Sequence, residues 1–99
     1  MIFYVYLLAS RKYGTLYLGV TSDLVRRVYQ HKTSLTPGFT SRHGVKRLVW
    51  YEQLADAPTA IRREKVIKKW RRDWKIRLVE EDNPDWLDLY DGIAQSWQG

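Results

Sequence analysis

Three short segments of the chain carry the residue pattern of β-strands. These segments are residues 2–9, 16–20 and 45–54. The first is apolar or aromatic on both of its faces, so we expect it at the centre of a sheet. The loop between the first two segments is short and rich in turn residues, which predicts a β-hairpin that brings Tyr17 roughly opposite Tyr6.

A helix is predicted directly after the hairpin. Ser22 is a good N-cap and Asp23 favours the positive end of the helix dipole, so the helix should begin there and run to about Lys32. Residues 33–44 contain proline, two glycines and several hydroxyl residues. We expect a loop there, with at most one helical turn.

A second, long helix is predicted to begin at Asp56 and to end at Asn83. Its apolar residues recur every three or four positions, apart from one gap of six between Ile61 and Ile67, and Glu64 fills that gap. A carboxylate on an inward face must be paired, hydrogen-bonded, neutral or bound to a metal ion. The pattern leaves a structural salt bridge and a functional role both open. The apolar members of the stripe are Ala57, Ile61, Ile67, Trp70, Trp74 and Leu78.

The end of the chain is predicted to hold a short helix over residues 86–90 and a short C-terminal tail over residues 91–99. The element order is then ββαβαα, in one α+β domain that covers residues 1–90. A length of 99 residues suits one domain and not two.

Composition excludes several classes of site. The chain has no cysteine, which removes disulfides, zinc–thiolate sites and thiol nucleophiles. The apolar residues 1–9 form too short a segment to span a bilayer, and they lack the basic segment and cleavage site of a signal peptide. We therefore expect a cytoplasmic protein without a membrane association.

Charge points to a polyanionic partner, and nucleic acid is the commonest one. The net charge is +6, from 17 Lys and Arg against 11 Asp and Glu. Nine of the 17 basic residues lie between Arg62 and Arg77, and the acids collect near the end of the chain. This distribution predicts one basic face.

Candidate chemistry begins with Arg27 and His31, which are four residues apart and share a helix face. A guanidinium held there could bind a phosphate through two parallel hydrogen bonds. His31 could be a general base, a phosphate ligand or a packed histidine. The seven tyrosines include phenols that could handle a proton, but composition does not select one. The tryptophans are interpreted as core residues, with base stacking a minor alternative for Trp86 or Trp97.

A combination of motifs in this chain resembles the GIY-YIG nucleases. Val5-Tyr6, followed by Tyr17-Leu18-Gly19 eleven residues after Tyr6, is similar to the paired signature of that family. Arg27 stands ten residues after Tyr17, where the family carries its helix arginine, and His31 follows one turn later. The sequence departs from the pattern in having Tyr4 where the first motif has glycine and Leu18 where the second has isoleucine.

Two further segments carry the resemblance. Residues 60–70 resemble the helix that holds the family's metal-binding glutamate, which would be Glu64. Asn83-Pro84-Asp85-Trp86 is similar to the closing segment of small free-standing bacterial members, and it places Asn83 as a supporting residue of the site. The match covers roughly residues 2–90.

The resemblance implies a fold and a chemistry. The fold would be a three-stranded antiparallel sheet flanked by helices. The activity would be that of a metal-dependent endonuclease acting on DNA, within repair or recombination-type processing. Glu64 would hold Mg²⁺ or Mn²⁺, and Arg27 would stabilise charge on the phosphate. Tyr6 would be the general base or would orient the attacking water, with His31 as the other candidate base and Tyr17 in support.

DNA is the expected partner, and a protein partner could supply specificity. The residues expected to contact DNA are Gly19, Arg26, Arg42, Lys65, Lys68, Lys69 and Arg72. Two other functions remain open on sequence grounds: a non-catalytic nucleic-acid-binding module on the same fold, and a basic protein-interaction domain.

Overall fold

The fold is a three-stranded antiparallel sheet with helices on both faces, as expected for the predicted α+β class. The computed structural model describes residues 1–33 and 38–98, the last three by their backbone alone, so part of the predicted loop, residues 34–37, and the side chain of Trp97 lie outside the described residues. None of the helices in this part of the chain is long and apolar enough to cross a membrane. The elements are β1 (Phe3–Ala9), β2 (Leu16–Thr21), α1 (Leu24–Lys32), α2 (Phe39–His43), β3 (Arg47–Leu54), α3 (Ala57–Lys68), α4 (Arg72–Asp82) and α5 (Tyr90–Gln98).

Strand β1 is the central strand, as its two apolar faces predicted, and the sheet order is β2-β1-β3. Tyr6 pairs with Gly19 on one side and with Tyr51 on the other, while Tyr17 pairs with Leu8. The predicted pairing of Tyr17 with Tyr6 was therefore wrong by two residues. Because side chains alternate with a period of two, the two tyrosines still share a face of the sheet.

The two faces of β1 build two separate hydrophobic clusters. Val5 and Leu7 pack with buried residues of α3 and α4, including Ala60, Ile67 and Val79. The other face forms the second cluster, whose buried members are Tyr6, Leu8, Leu24, Val28, Val45 and Leu48. Helix α1 therefore covers the same sheet face as Tyr6, which sets the position of the candidate site.

The single long helix predicted after β3 was wrong, because the chain bends between α3 and α4. Trp70 is partly buried against the first cluster, and Arg71 has an extended backbone. Arg72 then donates from Nη2 to the carbonyl oxygens of Tyr13 (2.7 Å) and Gly14 (2.6 Å), which fastens the start of α4 to the β1–β2 turn. The spacing of the apolar residues is the same on both sides of the bend, so the sequence pattern did not indicate that the helix breaks there.

The apolar residues that are buried on α3 and α4 also differ from the predicted stripe. Ala60 and Ile67 are fully buried, whereas Ile61 is 44% exposed and Trp74 is 43% exposed. Glu64 lies between the two buried residues, four positions after one and three before the other, so its place on the inward side of α3 is retained.

The closing segment also differs from the prediction. Residues 86–89 are not helical; the last helix is α5, which begins at Tyr90 and occupies residues that we expected to form a tail. Trp86 is fully buried with φ +56°, and its indole N–H donates to Glu80 Oε2 (2.8 Å). This burial rules out base stacking by Trp86. Tyr90 and Ile93 of α5 pack against the second cluster, which holds the helix on the sheet.

Candidate active site

Four of the predicted site residues come together on the sheet face covered by α1. Tyr6 and Tyr17 point from adjacent strands, with ring centroids 6.4 Å apart. His31 lies 6.1 Å from the ring of Tyr6 and 5.4 Å from that of Tyr17, measured between centroids. Arg27 is one helical turn before His31, and its guanidinium is near enough to the Tyr6 hydroxyl to influence the pKa of the phenol.

The start of α1 fixes where these side chains fall. The N-cap is Asp23 rather than the predicted Ser22, and its carboxylate accepts from the backbone N–H of Arg26 (3.2 Å). Leu24, Val28 and His31 are the buried residues of the helix, so His31 lies on its inward face, in contact with the tyrosines. The helix cap sets where α1 begins, and the apolar spacing sets which face is inward. Together they place Arg27 and His31 at the site.

A chain of hydrogen bonds joins Tyr6 to α2 through His31. Tyr6 Oη and His31 Nε2 are 3.2 Å apart, and His31 Nδ1 lies 2.9 Å from Thr40 Oγ1. All three side chains are buried. Sequence analysis did not find Thr40, because a threonine in a polar loop carries no distinguishing pattern.

Gly19 is required by the Tyr6 ring rather than by DNA. A Cβ at this position would come within 2.5 Å of Tyr6 Oη and 2.6 Å of Cζ. Tyr6 is itself only 1% exposed, so its ring has little room to move aside. The prediction that Gly19 contacts DNA is therefore corrected: it is buried, and it makes space for the phenol.

Burial controls the protonation of the central pair. It raises the pKa of Tyr6 to about 12, against an opposing effect of the hydrogen bond from Arg27. Burial, with the nearby positive charge of Arg27, lowers the pKa of His31 to about 4. At neutral pH the phenol is protonated and the imidazole is neutral. Both shifts keep the proton on the phenol, so the pair can hold the orientation of the Tyr6 hydroxyl without transferring a proton.

An aromatic rim extends the site towards α2. Phe39 stacks near-parallel to Tyr17, with centroids 6.4 Å apart and an interplanar angle of 28°. The ring of His43 lies 4.4 Å from that of Phe39. Arg42 is exposed on the same short helix. This rim gives the tyrosine cluster an aromatic and basic border on the side of α2.

The guanidinium of Arg27 has N–H donors available for a ligand. Its Nη1 donates to Gln30 Oε1 (3.0 Å), and the side chain is half-buried. A guanidinium offers five N–H donors in a planar fork, which suits a phosphate or carboxylate ligand. The half-buried guanidinium can therefore bind a phosphate beside the tyrosine cluster.

Glu64 is not joined to this cluster by a hydrogen bond or an ion pair within the described residues. It stands on α3, whose buried residues pack on the other face of the sheet. Its side chain is only 18% exposed, and its carboxylate lies 3.9 Å from Nζ of Lys68, a side chain that is itself 74% exposed. Residues 1–33 and 38–98 contain no group of three side chains arranged to hold a metal ion.

The surroundings of Glu64 nevertheless fit a hydrated divalent cation. The side chain of Glu64 is largely buried, and its one ion pair is a long contact of 3.9 Å with the exposed Lys68, so its carboxylate oxygens remain available as ligands. Mg²⁺ commonly binds through one or two carboxylates while keeping several waters, so a single protein ligand suffices.

Two other predicted residues have structural roles. Asn83 ends α4, and its side-chain amide is fully occupied: Nδ2 donates to the carbonyls of Val49 (3.1 Å) and Leu87 (2.9 Å), and Oδ1 accepts from the N–H of Leu87 (3.0 Å). Asn83 was predicted to support the site. In the structure its side chain instead links the end of α4 to β3 by hydrogen bonds. Arg72, predicted to contact DNA, has two short bonds to the β1–β2 turn. Arg26, Arg42, Lys65, Lys68 and Lys69 are exposed.

Comparison with known proteins identifies a family pattern over most of the chain. A family model described as the GIY-YIG catalytic domain matches residues 2–77. A UPF0213 protein from Pectobacterium carotovorum is 34% identical over 88 residues, covering 89% of this chain and 87% of the relative. A UPF0213 protein from Aeromonas salmonicida is 33% identical over 85% of this chain, which spans only 58% of the length of that relative. The solution NMR structure of the UPF0213 protein BH0048 from Bacillus halodurans is 34% identical, covers 81% of this chain and 84% of its own, and superposes with a TM-score of 0.50.

Proposed function

The chain belongs to the GIY-YIG family of nucleases, and from this premise we propose that it is a divalent-metal-dependent endonuclease that hydrolyses DNA phosphodiester bonds during repair or recombination-type processing. One observation carries the proposal. The Tyr6 hydroxyl is hydrogen-bonded to neutral His31 and lies near the Arg27 guanidinium. A phosphate held by Arg27 would thus lie beside two groups that can orient a water molecule.

The roles of the chain's own residues follow from their protonation. Arg27 binds the scissile phosphate and stabilises the charge that develops on it. Tyr6 retains its proton at neutral pH, and its hydrogen bond with His31 Nε2 fixes the orientation of the phenol. Tyr17 packs against His31 and closes the side of the cluster.

Glu64 is the proposed ligand of Mg²⁺ or Mn²⁺. When bound, such a cation would polarise the phosphate and neutralise the leaving oxygen. The low exposure of the Glu64 side chain and its long ion pair with the exposed Lys68 support this assignment.

The Arg27→Lys variant tests the proposal. Lysine keeps the charge and loses the planar fork, so we expect nicking of supercoiled plasmid in Mg²⁺ to slow by about 10²–10³-fold. Arg11→Lys is the matched control, because it makes the same change at an exposed arginine that is not among the residues expected to contact DNA. No cleavage of any DNA form by the wild-type protein with Mg²⁺ or Mn²⁺, or equal rates for the two variants, would contradict the proposal.

Glu64→Gln tests the metal assignment through a second readout. Glutamine retains the size of the side chain and removes its charge. We expect calorimetry or Mn²⁺ paramagnetic resonance to show loss of cation binding, together with loss of cleavage and retention of DNA binding. Unchanged Mn²⁺ affinity in this variant would move the metal away from Glu64.

A non-catalytic nucleic-acid-binding module is the second candidate function. The observation that favours it is the position of Glu64 on α3, in ion-pair contact with Lys68 and not with the tyrosine cluster. If this function is correct, the wild-type protein binds DNA with a strong salt dependence and leaves every DNA form intact.

A further inference from the structure

The positive charge of the protein is concentrated in one sixteen-residue segment, Arg62–Arg77. The segment carries nine basic and two acidic residues, while the rest of the chain carries eight basic and nine acidic residues. The segment alone therefore has a formal charge of +7, and the remainder is close to neutral. In the structure it forms the second half of α3, the bend and the first half of α4.

A large aromatic side chain is exposed in the middle of this basic segment. Trp74 is 43% exposed, and it meets Trp70 edge-on with centroids 6.0 Å apart. The guanidinium of Arg71 lies 5.2 Å from the centroid of the Trp74 ring. Aromatic and cationic groups are thus interleaved on one surface.

A shallow pocket of about 190 Å³ opens beside the exposed ring. It is lined by Trp70, Trp74, Arg77, Leu78 and Glu81. Four of these residues lie on α4 at spacings of three, four and seven from Trp74, so they form one face of the helix. Arg77 stands on the side of the basic segment, and Glu81 closes the other end.

From this juxtaposition we infer that the bend between α3 and α4 is a binding surface for a nucleic-acid strand with unpaired bases, in which Trp74 stacks on a base. Phosphates lie along Arg71 and Arg77, where the local charge is positive, and away from the carboxylate of Glu81. The inference deepens the proposed function and rests on it for the choice of nucleic acid as partner. It names the substrate class as DNA with a single-stranded portion.

Unpaired bases are favoured over a duplex because of the chemistry of the exposed group. Bases inside a duplex cover each other's faces, whereas an unpaired base offers a free face to an indole ring. Basic residues alone attract any nucleic acid through phosphate contacts and counterion release. The exposed tryptophan adds a preference that charge alone does not provide.

The test compares variants by fluorescence anisotropy of a labelled oligothymidine and of a blunt duplex of equal length, in EDTA so that no cleavage intervenes. We expect Trp74→Ala to weaken oligothymidine binding by about 5- to 100-fold, from the cost of losing one base-stacking ring, and duplex binding by less than about 2-fold. Trp74→Phe should retain most of the affinity, because an aromatic face remains. Tyr29→Ala, which removes a half-exposed aromatic side chain from outside the segment, is the matched control.

Each outcome has one meaning. Equal oligothymidine affinity in Trp74→Ala and the wild type would overturn the inference and leave the tryptophan pair as a protein-contact surface. An equal loss for duplex and single strand, or a loss in Trp74→Phe as large as in Trp74→Ala, would also overturn it. The binding assay contains no metal and does not depend on cleavage. If the plasmid-nicking assay showed no cleavage, the proposed nuclease activity would fail, but the binding result for Trp74 would still stand.

Discussion

Burial of His31 between Tyr6 and Thr40 links the protonation of one side chain to the stability of the fold. In the unfolded chain a histidine binds a proton near pH 6.5, whereas the folded-state pKa of His31 is about 4. Between these values the unfolded state binds more protons. The stability due to the neutral imidazole is therefore fully present above about pH 6.5 and is lost as the pH falls towards 4.

We predict that the free energy of unfolding decreases more steeply on acidification in the wild type than in His31→Gln. The difference between pH 7 and pH 4 should be about 1–3 kcal/mol, measured by urea denaturation. His43→Gln is the control, because His43 is exposed and its removal should leave the slope unchanged. Parallel stability curves for the wild type and His31→Gln would show that His31 is not the titrating group.

Sequence reasoning identified the residues of the cluster but not how they are held. Tyr6, Tyr17, Arg27 and His31 were found because their types and spacing match a family motif. The contribution of Thr40 and the space left by Gly19 depend on the distance between α2, α1 and the sheet, which no local pattern encodes.

At the level of elements, strands were easier to predict than helix ends. The three strands agree with their predicted segments to within two residues, because a sheet buried on both sides imposes a clear pattern. The break between α3 and α4 depends on Arg72 bonding to a turn 58 residues away, and the apolar spacing passes through it unchanged. Trp86 was assigned to a helix, yet its backbone has positive φ, because burial of its ring dictates the local conformation.

The junction between α4 and β3 provides a prediction at this scale. Asn83→Ala leaves the Val49 carbonyl and the backbone of Leu87 without their side-chain partners, so we expect a loss of about 2–4 kcal/mol in the free energy of unfolding. Asp85→Ala, an exposed change in the same segment, should alter stability by less than about 0.5 kcal/mol. Under conditions where the protein is folded, Asn83→Ala should cleave at the wild-type rate. A lower cleavage rate in the fully folded variant would show that Asn83 contributes to the site.

For the whole molecule, segregation of charge predicts how DNA affinity responds to salt. If four to six basic residues of Arg62–Arg77 contact phosphates, log K for duplex DNA should fall with log salt with a slope of roughly −4 to −5. Replacing Lys65, Lys68 and Lys69 with glutamine should reduce the magnitude of this slope by about 3 if all three contact phosphates. The same change at Lys12 and Lys46, exposed lysines outside the segment, should leave it nearly unchanged. Equal slopes for both variants would show that the segment is not the main DNA contact.

The central place of β1 also has a consequence for synthesis on the ribosome. Strand β1 is made before both of its neighbours, and its second neighbour, β3, is complete only at residue 54. At translation rates of roughly 5–20 residues per second, β3 is completed about 2–9 s after β1. During that interval the β1–β2 hairpin can close, but one edge of an apolar strand stays unpaired and open to other chains. A pause in translation after the hairpin has left the ribosome and before β3 has left it should therefore favour aggregation of the nascent chain more than a pause after β3 has emerged.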